Sequence, residues 1–197
     1  MIRMGKTSPP KLPGRPRNDS SRRAILSAAL EILAESGYKA VTMQAIAGRS
    51  GAGRQTLYRW WRSKAEIVLD AFAFVTVETI ATPDTGNAHR DIAGLIEASG
   101  KTIRQGSGPI IRCLQAEALI DEEFLAQYYE RFALIRRSVL KTILKRGIRR
   151  GELPAGLDLN FWCDVVFGAL LYRLNMRNAP INRAFGEHLA ALLPRMS

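Results

Sequence analysis

The apolar residues of this chain recur at helical spacing, and after residue 87 no stretch alternates apolar and polar positions over the length of a strand. Ile25, Ala28, Ala29, Ile32 and Leu33 fall at i, i+3, i+4, i+7 and i+8, one face of an α-helix that Asp19, Ser20 or Ser21 can cap and Gly37 can stop. Thr42 can cap a short second helix over 43–49, with Met43, Ile46 and Ala47 inward, and Gly51 breaks it. A short turn later, 54–61 forms a third helix with Leu57 and Trp61 on one inward face. Ser63, Lys64, Ala65 and Glu66 match the S-x-x-E capping box and open a fourth helix running through Phe72. Pro83 and Gly86 mark a loop over 82–87. Further helices are expected at 89–105, 109–118, 122–150, 159–176 and 182–193, punctuated by Gly106, Gly108, Gly151, Pro154 and Pro180. The fold class is all-α, with about nine helices.

Charge divides this helical chain in two. The net charge is +11; residues 1–64 hold 13 Lys or Arg and 3 Asp or Glu, hence +10, and residues 65–197 hold 16 and 15, hence +1. A clustered charge makes a binding face, whereas an even one only keeps a protein dissolved. Residues 1–18 carry four prolines, two glycines and five basic residues, the composition of a flexible arm. With 47% hydrophobic and 24% charged residues, the chain as a whole has the composition of a soluble globular protein. The basic start, 1–13, has no apolar segment after it that would make a secretory signal, and the most apolar stretch, 161–174, is short and contains Asp164. A cytoplasmic protein with no membrane association is expected.

Reactive groups are sparse. Cys113 and Cys163 lie fifty positions apart without CxxC spacing, which suits two small buried thiols and no metal site. His89 and His188 have no carboxylate or thiol at a catalytic spacing, and Asp121, Glu122 and Glu123 sit at a helix start, where acids are stabilising. With no phosphate loop, paired carboxylates or nucleophile triad, neither catalysis nor a cofactor is expected. A small helical enzyme is the weak rival; a nucleoid-type protein that holds DNA with little sequence preference is the other.

Two short helices joined by a glycine-containing turn, the second polar at its N-terminal end, form the unit whose second helix fits the DNA major groove. Val41-Thr42-Met43, Ile46-Ala47, Ser50-Gly51 and Thr56-Leu57-Tyr58-Arg59-Trp60-Trp61, followed by Ser63-Lys64, resemble the signature of the tetracycline-repressor (TetR) family over about residues 20–70. The segment 146–153, followed by Asp158, is similar to a recurring helix end in that family's effector domains. The resemblance implies a flexible basic arm (1–18), a helix-turn-helix head (19–64) and a helical effector-binding and dimerisation body (65–197).

By the same resemblance Thr42 caps the second helix and touches a phosphate, and Gln44 reaches a phosphate or base edge. Arg54, Gln55 and Thr56 occupy the first turn of the recognition helix, where Arg suits guanine and Gln suits adenine. Tyr58 and Trp60 lie along the DNA backbone, and Lys64 meets a phosphate at the start of the fourth helix. The chain departs from the family pattern at Ala52, where a larger aliphatic is usual, at Gly53, where Ser or Thr commonly caps, and at the Trp60-Trp61 pair. Gly14-Arg15-Pro16-Arg17 is similar to the core of an AT-hook, which would put Arg15 and Arg17 in a narrow minor groove; a solvated basic tail is the alternative. The implied partners are double-stranded DNA with a pseudo-palindromic operator, a second copy of the chain through the last two helices, and a small apolar effector. For the dimer, Phe161, Trp162, Val165, Val166, Ala169 and Leu170 are apolar around most of one helix, and Ile181, Ala184, Phe185, His188 and Leu192 form a stripe on the next. Phe72, Phe124, Tyr128 and Phe167 suit an effector pocket and suit plain core equally; core is the reading taken.

Overall fold

The computed structural model describes the backbone of residues 16–77 and 82–194 and the side chains of 19–73 and 82–194. Among these residues the chain forms α1 (Pro16–Ser36), α2 (Met43–Ser50), α3 (Arg54–Trp60), α4 (Lys64–Val77), α5 (Ala88–Thr102), α6 (Gly108–Ala118), α7 (Glu122–Tyr128), α8 (Leu134–Arg149), α9 (Leu159–Met176) and α10 (Arg183–Ala191), with no strand. The stretch 122–150, expected as one helix, keeps helical backbone but is divided by a π-turn at Tyr129–Ala133. α1 begins at Pro16, which suits a first helical position because its missing N–H has no intrahelical partner there. Residues 16–18, expected in the arm, are therefore helical, and 1–15 lie outside the described residues.

Short polar side chains fix where the body helices start. The side chains of Asn87, Asp121, Asp158 and Asn182 accept from backbone N–H groups in the first turns of α5, α7, α9 and α10. Each satisfies a donor that the helix itself leaves orphaned, which is commonly worth about 1 kcal/mol.

The packing follows the helical stripes in the head. Ile25, Ala28, Ala29, Ile32 and Leu33 are buried, with α1 lying against α2 and α4. In α4, Ala65, Ile67, Val68, Leu69, Ala71 and Phe72 are all buried, because α1 covers it on one side and α6 and the π-turn on the other. One continuous core thus runs from the head through α4 into the body.

α9, expected to be apolar around most of its circumference, and α10, expected to carry one apolar stripe, each divide their apolar residues between the core and the surface. On α9, Cys163, Val166, Leu170 and Leu174 face the core, while Phe161, Tyr172 and Met176 stay exposed. On α10, Phe185, Gly186, Leu189 and Ala190 are buried against α5, and of the expected stripe Ile181 and Phe185 go inward while Ala184, His188 and Leu192 face out. Glycine decides that contact. A Cβ on Gly100 of α5 would lie 1.9 Å from the Ile181 carbonyl oxygen just before α10. Overpacking of this kind typically costs about 1–3 kcal/mol. Gly100→Ala is accordingly expected to lower the urea-unfolding free energy by about 2–3 kcal/mol, whereas Gly48→Ala, whose Cβ meets nothing within 4 Å, should raise it by up to about 1 kcal/mol. Equal effects of the two substitutions would refute the close approach.

Candidate nucleic-acid interface and body cavity

The head presents its polar helix because its apolar residues leave no alternative rotation. Leu57 and Trp61 are buried in the same core as Ile46, with α3 lying against α2, so Arg54, Gln55, Tyr58 and Arg59 face solvent, with Tyr58 56% exposed. Thr42 caps α2 through a 3.0 Å bond from Ala45 N to its Oγ1, and both Thr42 and Gln44 are exposed. Gly51 ends α2 in the left-handed region, φ 68°, a conformation that glycine adopts without steric cost. Gly53 then starts α3 in extended backbone with no side-chain cap, and its carbonyl accepts from Thr56 N and Leu57 N. The cap that Ser or Thr would supply is absent, but the helix forms. Thr56 is half-buried at its first turn.

Two expected contact residues are already engaged within the protein. Lys64 Nζ sits 4.4 Å from the centre of the Tyr38 ring and 3.5 Å from the Tyr38 carbonyl oxygen. Trp60 is half-buried, stacked on Trp61 at 6.0 Å and flanked by the guanidinium groups of Arg22 and Arg59, each 5.9 Å from its ring. Arg54 and Arg59 form no ion pair among the described residues, so their charge is directed outward. Arg17 lies within α1, and Arg15 lies outside the described residues.

Behind this face, the head is bound to the body by polar contacts that no local sequence rule predicts. The Asp70 carboxylate accepts from Arg22 of α1 at 2.9 Å, from Trp61 Nε1 at 2.9 Å and from Arg131 of the π-turn at 2.5 Å. Buried Glu66 accepts from Arg62 N at 2.8 Å and from Gln127 Nε2 at 3.1 Å, while its own N–H donates to Ser63 Oγ; the capping box forms, with its carboxylate on Arg62 instead of Ser63. Arg62 pairs with Glu123, and the Tyr38 hydroxyl donates to Glu117 at 3.0 Å. Burial and the Glu117 charge together push the Tyr38 phenol above its ordinary range.

The body holds a cavity of about 230 Å³ between α5, α6, α8, α9 and the π-turn. Of the four aromatic candidates, Tyr128 and Phe167 line it, whereas Phe72 and Phe124 are core. Among the described residues no Asp, Glu, Lys or His lines it; two arginines do. Arg136 stacks its guanidinium 3.8 Å from the Phe132 ring centre and forms no ion pair among the described residues. Burial lowers it to about 10, so it stays protonated at neutral pH. Arg137 spends one terminal nitrogen on Asp164 at 2.5 Å, while its Nε is buried without a partner. Ser107 Oγ is likewise buried and unpartnered, whereas the Ser99 and Thr102 hydroxyls donate to carbonyls of their own helix. Elsewhere Cys163 is buried and Cys113 only half-buried, both free, and no cluster of three metal-ligating side chains occurs among the described residues.

Known proteins match this arrangement along nearly the whole described chain. Residues 25–71 match "Bacterial regulatory proteins, tetR family", and residues 82–193 match "Tetracyclin repressor-like, C-terminal domain". The chain is 34% identical over 176 residues, 89% of each chain, to the "Uncharacterized HTH-type transcriptional regulator YdeS" of Bacillus subtilis (strain 168). It is 29% identical over 175 residues, covering 86% of this chain and 89% of the relative, to the "DNA-binding transcriptional repressor TetR" of Mycobacteroides abscessus. Among solved structures, TetR family transcription regulator SCO0332 superposes with a TM-score of 0.75 at 27% identity over 87% of this chain and 95% of that one. Matched by both family domains and by regulators over most of its length, this chain belongs to the tetR family: it is an all-α, DNA-binding transcriptional regulator and not an enzyme.

Proposed function

We propose that the chain is a cytoplasmic, homodimeric repressor that sits on a pseudo-palindromic operator until a small effector in the body cavity lowers its DNA affinity. The observation that carries the DNA-binding half is the solvent-facing polar side of a helix-turn-helix within a segment, residues 1–64, that carries +10 of the net +11. Arg54 and Gln55 are the base-reading residues in this reading, with Thr42, Gln44, Thr56, Tyr58, Trp60, Arg59 and Lys64 on or beside the phosphates. Lys64 and Trp60 act partly by packing, since each already has a protein partner. Arg17, in the first turn of α1, is not part of an extended arm, and Arg15 ahead of it is the remaining minor-groove candidate.

One recognition helix reads too few base pairs to be selective, so a second copy is needed, its half-site a whole number of helical turns away. Phe161, Val165, Gly168, Tyr172 and Met176 follow one another by four, three, four and four residues and line up on the outer side of α9. A Cβ on Gly168 meets nothing within 4 Å, which leaves room for a partner helix to approach. With the outward Ala184, His188 and Leu192 of α10, this side is the proposed dimer face.

The π-turn supports the switching half, because it touches both ends of the device. Tyr129, Phe132 and Ala133 line the cavity, and Arg131 reaches Asp70 on α4, the helix that follows the DNA-reading unit. An effector that shifts this turn shifts the footing of the head.

Selection from random DNA should return an inverted repeat, and recovery of sequences without symmetry would refute the operator. Arg54→Ala should cost about 1–3 kcal/mol, mostly at one base pair per half-site, whereas Arg59→Ala should weaken cognate and random DNA alike and flatten the salt dependence. Tyr172→Glu is expected to give a folded monomer by analytical ultracentrifugation. Val166→Glu, by contrast, should unfold the chain, because Val166 is 2% exposed and faces its own core.

A further inference from the structure

We propose that the body cavity is built for a small organic monoanion, an apolar carboxylate whose charged end lies on Arg136. The proposal rests on reading the cavity as the effector site and adds the chemistry of the ligand.

At about 230 Å³ the cavity falls below the range of about 300–1,000 Å³ usual for drug-sized ligands, so the ligand is small. Leu95, Ile111, Phe132, Phe167 and Leu170 supply apolar wall, which suits an apolar body. The polar groups are the deciding feature. Arg136, the Arg137 Nε–H and the Ser107 hydroxyl all have hydrogen atoms to donate, and none of the three has a partner for them among the described residues.

A neutral ligand would bury the Arg136 charge with nothing to offset it, and an unpaired charge out of water is costly. A cation would add repulsion to that cost. An anion removes both penalties, and a carboxylate matches the planar fork of a guanidinium with two parallel hydrogen bonds. One face of Arg136 is already covered by the Phe132 ring, so its rim of N–H groups remains for the ligand. Arg136 lies one turn beyond the π-turn, and both Phe132 and Arg131 belong to that turn. Pulling Arg136 onto a carboxylate therefore acts on the segment that holds Asp70.

The test is calorimetric titration of the full chain with hexanoate, octanoate and decanoate, with the alcohol and amine of each chain length, and with decanoyl-CoA. At least one carboxylate should bind, and its alcohol should bind roughly tenfold or more weakly, the loss expected for a charge-assisted hydrogen bond. In Arg136→Met, which keeps an unbranched apolar stem and removes the charge, carboxylate and alcohol should bind alike. Arg136→Lys keeps the charge, so it should retain part of the preference, and it serves if the Met variant fails to fold. The proposal is overturned if no carboxylate binds at millimolar concentration, if alcohol or amine matches the carboxylate, if decanoyl-CoA binds more tightly than decanoate, or if the Met variant keeps the preference. A carboxylate that binds through Arg136 yet leaves affinity for the selected inverted repeat unchanged upholds the anion site and refutes the effector reading.

Discussion

The geometry of this molecule turns on one carboxylate. Asp70 is nearly enclosed, its side chain 10% exposed, and an enclosed charge must be paired or it destabilises the fold. Its three donors come from the first helix of the head, from Trp61 at the end of the recognition helix and from the π-turn of the body. Trp61 is also core, so its indole N–H has no water to turn to if the acid is removed. The position of the head on the body is thus set by groups that cannot be rearranged singly. Apolar packing along α4 supplies the bulk of the cohesion, and Asp70 fixes the angle at which it is used.

Much of this was legible in the sequence, for a physical reason: where a helix has one wet side, the apolar spacing records which side is dry. Spacing alone puts Ile25, Ala28, Ala29, Ile32 and Leu33 of α1 and Leu57 with Trp61 inward, and they are inward. The cap at Thr42 is legible because it too is a local feature. α9 was not, because a helix apolar on most sides has no single dry side to record. Val166 and Phe161 look alike in sequence, yet one is core and the other exposed. The glycines held more information than the large residues, since Gly100 and Gly186 mark where α5 and α10 come closest.

The π-turn and the cavity were illegible for a different reason. The stretch Tyr129–Ala133 contains neither Gly nor Pro, and its extra residue is set by what packs on both sides. Asp70 and Arg131 stand 61 residues apart, beyond the reach of any periodicity. Tyr128, Phe167, Phe72 and Phe124 are equally aromatic, and a void is a property of what surrounds a side chain and not of the side chain. Arg136 carries no signal in the sequence, since one arginine in a basic helix is ordinary, and it stands out only because the described residues around the cavity include no acid.

The uneven charge limits how any effector in the body can work. The +10 of residues 1–64, arm and head together, attracts phosphates whatever the spacing of the two heads, and a body of +1 has little charge with which to oppose it. On the proposed reading a ligand moves the π-turn and α4, which changes geometry and leaves the polycation intact. It therefore acts on the increment of affinity that comes from two recognition helices meeting two half-sites at once. That increment is typically about 10³–10⁷-fold over non-specific binding, and it caps what such a switch can remove. Release from the operator is then not release from DNA. A regulator built this way remains on the chromosome with its effector bound, slides off its site, and can return to it without a search through solution once the effector is gone.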